Sequence, residues 1–299
     1  MRDRIDPTHD VSVIGLGAMG SAMARAFIDS GCRVAVWNRS RDKVDALVSS
    51  GATACGGAAD ALEASPHVVV CLAGYSVWRS LVEDHDLEAR LDGRCIIQLT
   101  GGMIDEVREH ASFIKSHGAR LVDGALMCFP GQIGTQDASL LAAGEADVLA
   151  ACDPFLRTLA PTWTNLGDDI TKPAILSRAL TAGILTSLVG LVNGIAICRA
   201  GGISLDTYLD HVEKSDAIVP AEKRRLIEGV RDGDTERTQA SVKVWDEAHQ
   251  TIHAVAKTLG TNLVLQDALK AVFLEGERMG LGDHDLSALS DVFASPPSV

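Results

Sequence analysis

Three glycines, Gly15, Gly17 and Gly20, stand at G-x-G-x-x-G spacing in the stretch G-L-G-A-M-G, between an apolar run, Val11 to Ile14, and a helix-period stretch, Ala18 to Asp29. This is chemistry for holding a diphosphate. Gly15 permits a tight turn, Gly17 lets the backbone approach the ligand, and Gly20 lets the helix lie close on the strand. Leu16, Ala18 and Met19 complete the turn, whose free N–H groups and positive helix end would receive the anion. A second strand, Arg33 to Trp37, begins about twenty residues after the first, as a βαβ nucleotide unit requires. Where that strand ends, a carboxylate would hold the free ribose hydroxyl of NAD. This chain has Asn38 instead, followed by Arg39, Ser40, Arg41 and Lys43. A dianionic 2′-phosphate would be welcomed by that cluster, so the expected coenzyme is NADPH.

Other reactive side chains carry less. The seven cysteines, at 32, 55, 71, 95, 128, 152 and 198, form no CxxC pair, and they read as reduced thiols of a cytoplasmic protein. His249 and His253 are four apart on a predicted helix, a metal-ligand spacing, but no third ligand accompanies them and no metal is expected.

The elements that must position these residues alternate. Helices over 41–49, 57–64 and 76–81 intervene between strands over 52–54, 67–72 and 95–99. A helix over 103–117, strands over 121–126 and 139–143, a helix over 146–159 and a strand over 162–166 follow. The pattern predicts an α/β fold with a doubly wound parallel sheet. Ligands in such sheets lie beyond the carboxyl ends of the strands. Cys71, Leu72 and Ala73, with Thr100 and Gly101, are therefore expected to line the coenzyme cleft with the first turn.

Beyond Gly167 strand signals almost vanish. Helices are expected over 173–200, 204–214, 220–231, 240–259 and 264–279, with a last turn after Asp283. The predicted division is a nucleotide-binding domain over 1–170 and an all-α domain over 171–299, joined by the long helix at about 173–200. Twenty residues of that helix, Ala179 to Cys198, carry no charge, long enough to cross hydrocarbon. Thr181, Thr186, Ser187, Asn193 and three glycines interrupt the run, which favours a helix buried on all sides. A half-dozen amphipathic helices make a poor independent core, so a homodimer is expected to sheathe it.

The 299 residues carry 27 Lys and Arg against 40 Asp and Glu, a net charge of −13. That balance argues against nucleic acid and anionic membranes as partners and suits a cationic or amine-like substrate. The opening MRDRIDPTHD has no apolar core, so no signal peptide is expected.

Four stretches carry a family resemblance: G-L-G-A-M-G-S-A-M-A, the W-N-R-S after the second strand, L-V-D-G-A-L-M-C-F-P-G-Q-I-G-T at 121–135, and G-L-G-D-H-D-L-S-A-L at 280–289. Together they resemble imine reductases and reductive aminases, within the wider 3-hydroxyacid dehydrogenase group. The resemblance runs along essentially the whole chain. It implies an NADPH-bound Rossmann domain, a long interdomain helix, and a domain-swapped helical dimer with active sites between one subunit's nucleotide domain and the other's helical domain.

Hydroxyacid enzymes of the wider group resemble one another in a Ser-Gly-Gly substrate loop and a Lys followed four residues later by Asn. This chain has Met127, Cys128 and Phe129 at the loop, and Lys172 is followed four on by Leu176. Alcohol oxidation has no evident base here. Met127 and Phe129 would instead favour an apolar ring system. Imine reductases are similar in placing an Asp or Tyr where that Lys stood, with a further Tyr two turns on in some. The corresponding positions are Ser177 and Leu185, assigned here as the catalytic position and a substrate contact. A serine hydroxyl is too weak an acid to donate a proton outright, so a hydrogen bond or a held water is its expected role. Asp246 and His249, supplied by a partner subunit, are alternative donors, and Arg178 is expected to face outward, away from a cationic substrate. The leading reading is NADPH-dependent reduction of an imine or iminium. The rivals are a hydroxyacid or carbonyl reductase with another base, and a noncatalytic NADPH-binding protein.

Overall fold

The computed structural model describes residues 8–236 and 238–294. The absence of a signal peptide was expected from residues that lie largely outside those described. Two compact units emerge, Met1–Ala182 and Gly183–Val299.

In the first unit, β1 (Val11–Ile14), α1 (Ala18–Asp29), β2 (Val34–Trp37), α2 (Arg41–Val48), β3 (Thr53–Ala54), α3 (Ala58–Ala64), β4 (His67–Val70) and α4 (Tyr75–Asp84) come first. Then follow β5 (Cys95–Gln98), α5 (Ile104–Ser116), β6 (Arg120–Leu126), β7 (Leu140–Gly144), α6 (Ala146–Leu159), β8 (Thr164–Asn165) and the start of α7 (Lys172–Ala200). The described strands form one sheet in the order β3-β2-β1-β4-β5-β6-β7-β8. Side chains alternate across it, as the two-residue strand period requires. Val13, Val69 and Ile97 join Met23, Phe27, Leu47 and Leu156 on one face. Ile14, Val68, Val70 and Ile96 join Leu62, Trp78, Val82 and Ile114 on the other. Helices thus cover both faces, which is why the central strands are apolar almost throughout.

The doubly wound α/β expectation is met, with one correction to the all-parallel sheet. β6 and β7 pair antiparallel, Asp123 opposite Ala143 and Leu126 opposite Leu140. The reason is the connection: residues 127–139 contain only a 3-10 turn, Pro130–Gln132, and no crossover helix. A parallel partner needs a crossover; a returning turn delivers an antiparallel one.

Of the 29 residues of α7, only Pro173, Ala174 and Ser177 are buried. Ala174 packs with Tyr75 and Val107 of the first unit, so the helix start belongs to the nucleotide unit, which extends past residue 170 to Ala182. From Arg178 to Val192 every residue is exposed. The chain alone therefore does not bury the apolar helix, which is long and apolar enough by length and composition to cross a bilayer.

The second unit holds the rest of α7 with α8 (Leu205–Asp216), α9 (Val219–Asp232), α10 (Val242–Thr258), α11 (Val264–Arg278), a 3-10 turn Leu286–Leu289 and α12 (Ser290–Ala294). Its buried apolar cluster is small, built on Val242, Phe273 and Leu289. Polar ties supplement it. Gln266 donates to Asn193 at 2.8 Å, and Arg225 pairs with the buried Asp285 at 2.5 Å.

Candidate functional site

Two of the three motif glycines are demanded by the protein's own packing, and the third is not. Gly15 has φ +97°, and a Cβ there would lie 2.2 Å from the Cys71 carbonyl oxygen; a Cβ on Gly20 would lie 1.9 Å from the Gly15 carbonyl oxygen. A Cβ on Gly17 would meet nothing within 4 Å. Gly17 therefore leaves room for something outside the protein. It is also the N-cap of α1 without a side-chain cap, so the first-turn N–H groups remain available.

The loops around this turn are tied together. Asn38 accepts from the Leu16 N–H at 3.0 Å and donates to the Ser40 carbonyl at 3.2 Å. Leu72 N–H donates to Thr100 Oγ1 at 3.1 Å. The result is a groove of about 840 Å³ lined by Gly15, Gly17, Ala18, Met19, Asn38, Arg39, Ser40, Lys43, Cys71, Leu72 and Ala73 among others. Arg39 and Lys43 are exposed and, among the described residues, unpaired with any carboxylate, whereas Arg41 pairs with Asp45 at 3.2 Å. Burial pushes the Cys71 thiol up to about 11, so it meets the groove uncharged.

Four predicted coenzyme residues do not line this groove. The Leu16 side chain is buried in the core and its N–H is taken by Asn38. Gly20 packs behind the turn, Thr100 is buried as the acceptor for Leu72, and Gly101 lies beside Arg178. The opposite wall escaped the sequence reading: Ser76, Val77, Ser80, Leu81 and Asp84 of α4, then His85. Its signal was present, because Tyr75, Trp78 and Val82 bury one helical face at i, i+3 and i+7 and leave the other for the groove.

Ser177 is 3% exposed, and its hydroxyl donates to the Ala174 carbonyl at 3.0 Å. With its proton committed to the helix, the oxygen retains only acceptor capacity. Arg178, expected to face outward, is exposed, and its Nη2 donates to the Gly102 carbonyl at 3.3 Å, which fastens the start of α7 to the turn after β5.

Met127 is half-buried and Phe129 is 79% exposed, so the apolar loop does present its aromatic ring. Leu185, 60% exposed, belongs to the second unit. There too, Asp246 accepts from Gln250 at 2.7 Å, while His249 is buried against Phe273 with ring centroids 5.5 Å apart. His253 bonds Asp267 at 2.9 Å. Among the described residues no three His, Cys, Asp or Glu side chains gather as a metal site, and all seven cysteines are free.

Beneath the turn after β5 lies a buried polar cluster that sequence reasoning missed. The Tyr75 hydroxyl donates to the Asp123 carboxylate, with both side chains buried. Burial pushes Asp123 up to about 7 against the opposing effect of the phenol's bond, and burial pushes the phenol far above its usual range. His110 packs edge-on to the Tyr75 ring at 5.1 Å, and burial holds it down at about 4.

A profile described as the NAD binding domain of 6-phosphogluconate dehydrogenase matches residues 10–167, more than half of the chain. The chain belongs to that family. Over its length it is also similar to the NADPH-dependent reductive aminase of Aspergillus oryzae, with 26% identity over 291 residues covering 95% of this chain and 96% of that one. Among solved structures, the imine reductase from Myxococcus stipitatus in complex with NADP+ superimposes with a TM-score of 0.90 at 28% identity, covering 95% of this chain and 99% of the other. The reductive aminase from Aspergillus terreus in complex with NADPH and ethyl levulinate gives 0.87 at 28%, covering 96% and 99%. The resemblance read from the four sequence stretches is met by both kinds of relative.

Proposed function

We propose that this protein is an NADPH-dependent oxidoreductase that reduces an imine or iminium carbon to an amine. The observation that carries the reading is the groove itself, whose Gly17 turn is open to a diphosphate and whose Arg39 and Lys43, unpaired with any carboxylate among the described residues, would meet a 2′-phosphate. Full-length similarity to a reductive aminase and to NADP-bound imine reductases supports it.

When bound, NADPH supplies a hydride; the chain's own residues do the rest. The α1 N-terminus and the Arg39–Lys43 pair hold the anionic end, and the α4 face of Val77 and Leu81 walls the groove. The turn at Thr100–Gly102, beyond the carboxyl end of β5, is where the redox end of a coenzyme in such a sheet would be received. No lysine or acid stands at position 177. An iminium arrives already protonated, so the demanding step is holding its carbon about 3–3.5 Å from the hydride, which is a matter of position rather than acid strength. The Ser177 oxygen, as an acceptor only, suits an N–H⁺ or a held water better than it suits proton donation.

The assembly we propose is a homodimer, in which a second copy covers the apolar residues of α7 from Leu180 to Val192. An exposed apolar surface of that extent on one helix requires a cover in water.

The decisive assay follows NADPH oxidation with cyclic imines, with ketone–amine mixtures and with hydroxyacids or aldehydes in parallel. Turnover is expected with the first two alone. Turnover with aldehydes but not imines assigns the carbonyl-reductase rival, and tight NADPH binding with no turnover anywhere assigns the noncatalytic one.

A further inference from the structure

The Tyr75–Asp123 pair stands behind the groove rather than in it, yet Tyr75 begins the helix that walls the groove and packs against the turn after β5. Tyr75 is the first residue of α4, whose next turns carry Ser76, Val77, Ser80 and Leu81 into the groove. Its ring supports the turn after β5 so closely that a Cβ on Gly102 would fall 2.3 Å from it. Its hydroxyl reaches across to Asp123 on β6, which is 2% exposed. Arg178 also donates to the Gly102 carbonyl, and Thr100 accepts from the N–H of Leu72. The turn is therefore held by a phenol ring and a guanidinium together, and the phenol is fixed by one hydrogen bond to the sheet. The remaining ring contacts of Tyr75 are with apolar groups and the edge of His110, which orient it but do not fix its depth.

We infer that Tyr75 and Asp123 are a positioning pair for hydride transfer: their hydrogen bond sets the height of the Thr100–Gly102 turn, and with it the approach of the coenzyme's redox end to the substrate carbon. This rests on the proposed imine reduction for its chemistry, but the coupling of the pair to the turn does not. Neither residue lines the groove, so binding of NADPH through Gly17, Arg39 and Lys43 is independent of it. Because reaction rate is steep in donor–acceptor distance, a small displacement of this turn lowers turnover far more than affinity.

The test uses the full-length protein with Tyr75→Phe, Asp123→Asn and the double variant. The expected result is turnover of a cyclic imine at least tenfold lower in each single variant, with the NADPH Kd within threefold of the parent. A larger primary isotope effect from NADPH deuterated at the transferred position is expected too. The double variant is no slower than the slower single, because one bond has been removed in all three. Independently of any substrate or coenzyme, amide hydrogen exchange over residues 99–103 speeds at least tenfold in both single variants. If the parent reduces no imine, that exchange measurement alone decides: faster exchange upholds the pair while the proposed reaction fails, and unchanged exchange overturns the pair. With an active parent, unchanged turnover, additive losses in the double variant, or parallel loss of Kd and turnover each overturn it. Should Tyr75→Phe fail to fold, Asp123→Asn carries the same expectations, and failure of both to fold assigns the pair to stability instead.

Discussion

On the proposed reading, coenzyme choice is exerted through Arg39 and Lys43, which line the groove. Each would make a charge-assisted contact with the 2′-phosphate, worth about 1.5–3 kcal/mol, or roughly 10- to 150-fold in affinity. Arg39→Ala and Lys43→Ala are expected to weaken NADPH by that amount and leave NADH within about twofold; fluorescence titration with both coenzymes checks it. A second residue-scale expectation concerns pH. Asp123 is raised to about 7, above its unfolded value, so its contribution to stability is full below about pH 4 and is lost as pH rises toward 7. His110 is lowered to about 4, so its contribution is full above about pH 6.5 and is lost as pH falls toward 4. The two slopes oppose each other. Relative to the parent, Asp123→Asn should lose stability on acidification over this window and His110→Asn should lose it on alkalinisation, as measured by urea unfolding at several pH values. Parallel curves would discard the assignment.

At the scale of elements, the strand–turn–helix at the front of the chain separates folding from binding within one motif. Gly20 is needed by the fold: a Cβ there meets backbone at 1.9 Å, and that backbone cannot yield as a side chain can. Gly17 is not demanded by packing, since a Cβ there meets nothing within 4 Å. Gly17→Ala is therefore expected to cost about 1 kcal/mol through the N-cap position, a shift of about 2–4 °C in Tm, while NADPH affinity falls at least tenfold. Gly20→Ala is expected to cost about 3 kcal/mol or more. Thermal melts with and without NADPH distinguish the two. The same logic explains α4: one face is consumed by Trp78 and Val82 in the core, and Ser76, Val77, Ser80 and Leu81 are left to wall the groove.

For the whole molecule, the apolar length of α7 is the dominant unsatisfied feature. Leu185, Leu188 and Val192 are each more than half exposed, at 60%, 54% and 63%. Sedimentation is expected to give twice the 31.5 kDa chain mass, and Leu188→Glu with Val192→Glu to give monomer with loss of activity. A parent that sediments as a monomer, or that partitions into detergent or vesicles, would overturn the homodimer.

The sequence by itself determined what depends on neighbours along the chain. Glycine spacing, the strands at Val11–Ile14 and His67–Val70, and the basic cluster after Trp37 foretold the glycine turn, the sheet's alternation of elements and the basic end of the groove, because turn conformation and side-chain period are local properties. Tertiary structure alone decided the rest. The reversal of β7 followed from how residues 127–139 return, and the tie of Arg178 to the turn after β5 followed from an available carbonyl on Gly102. Burial of Ser177 and the meeting of Tyr75 with Asp123, 48 residues apart, depend on packing between distant elements. A hydrogen bond across that separation leaves no period in the sequence, since only the folded sheet brings α4 and β6 within reach of each other.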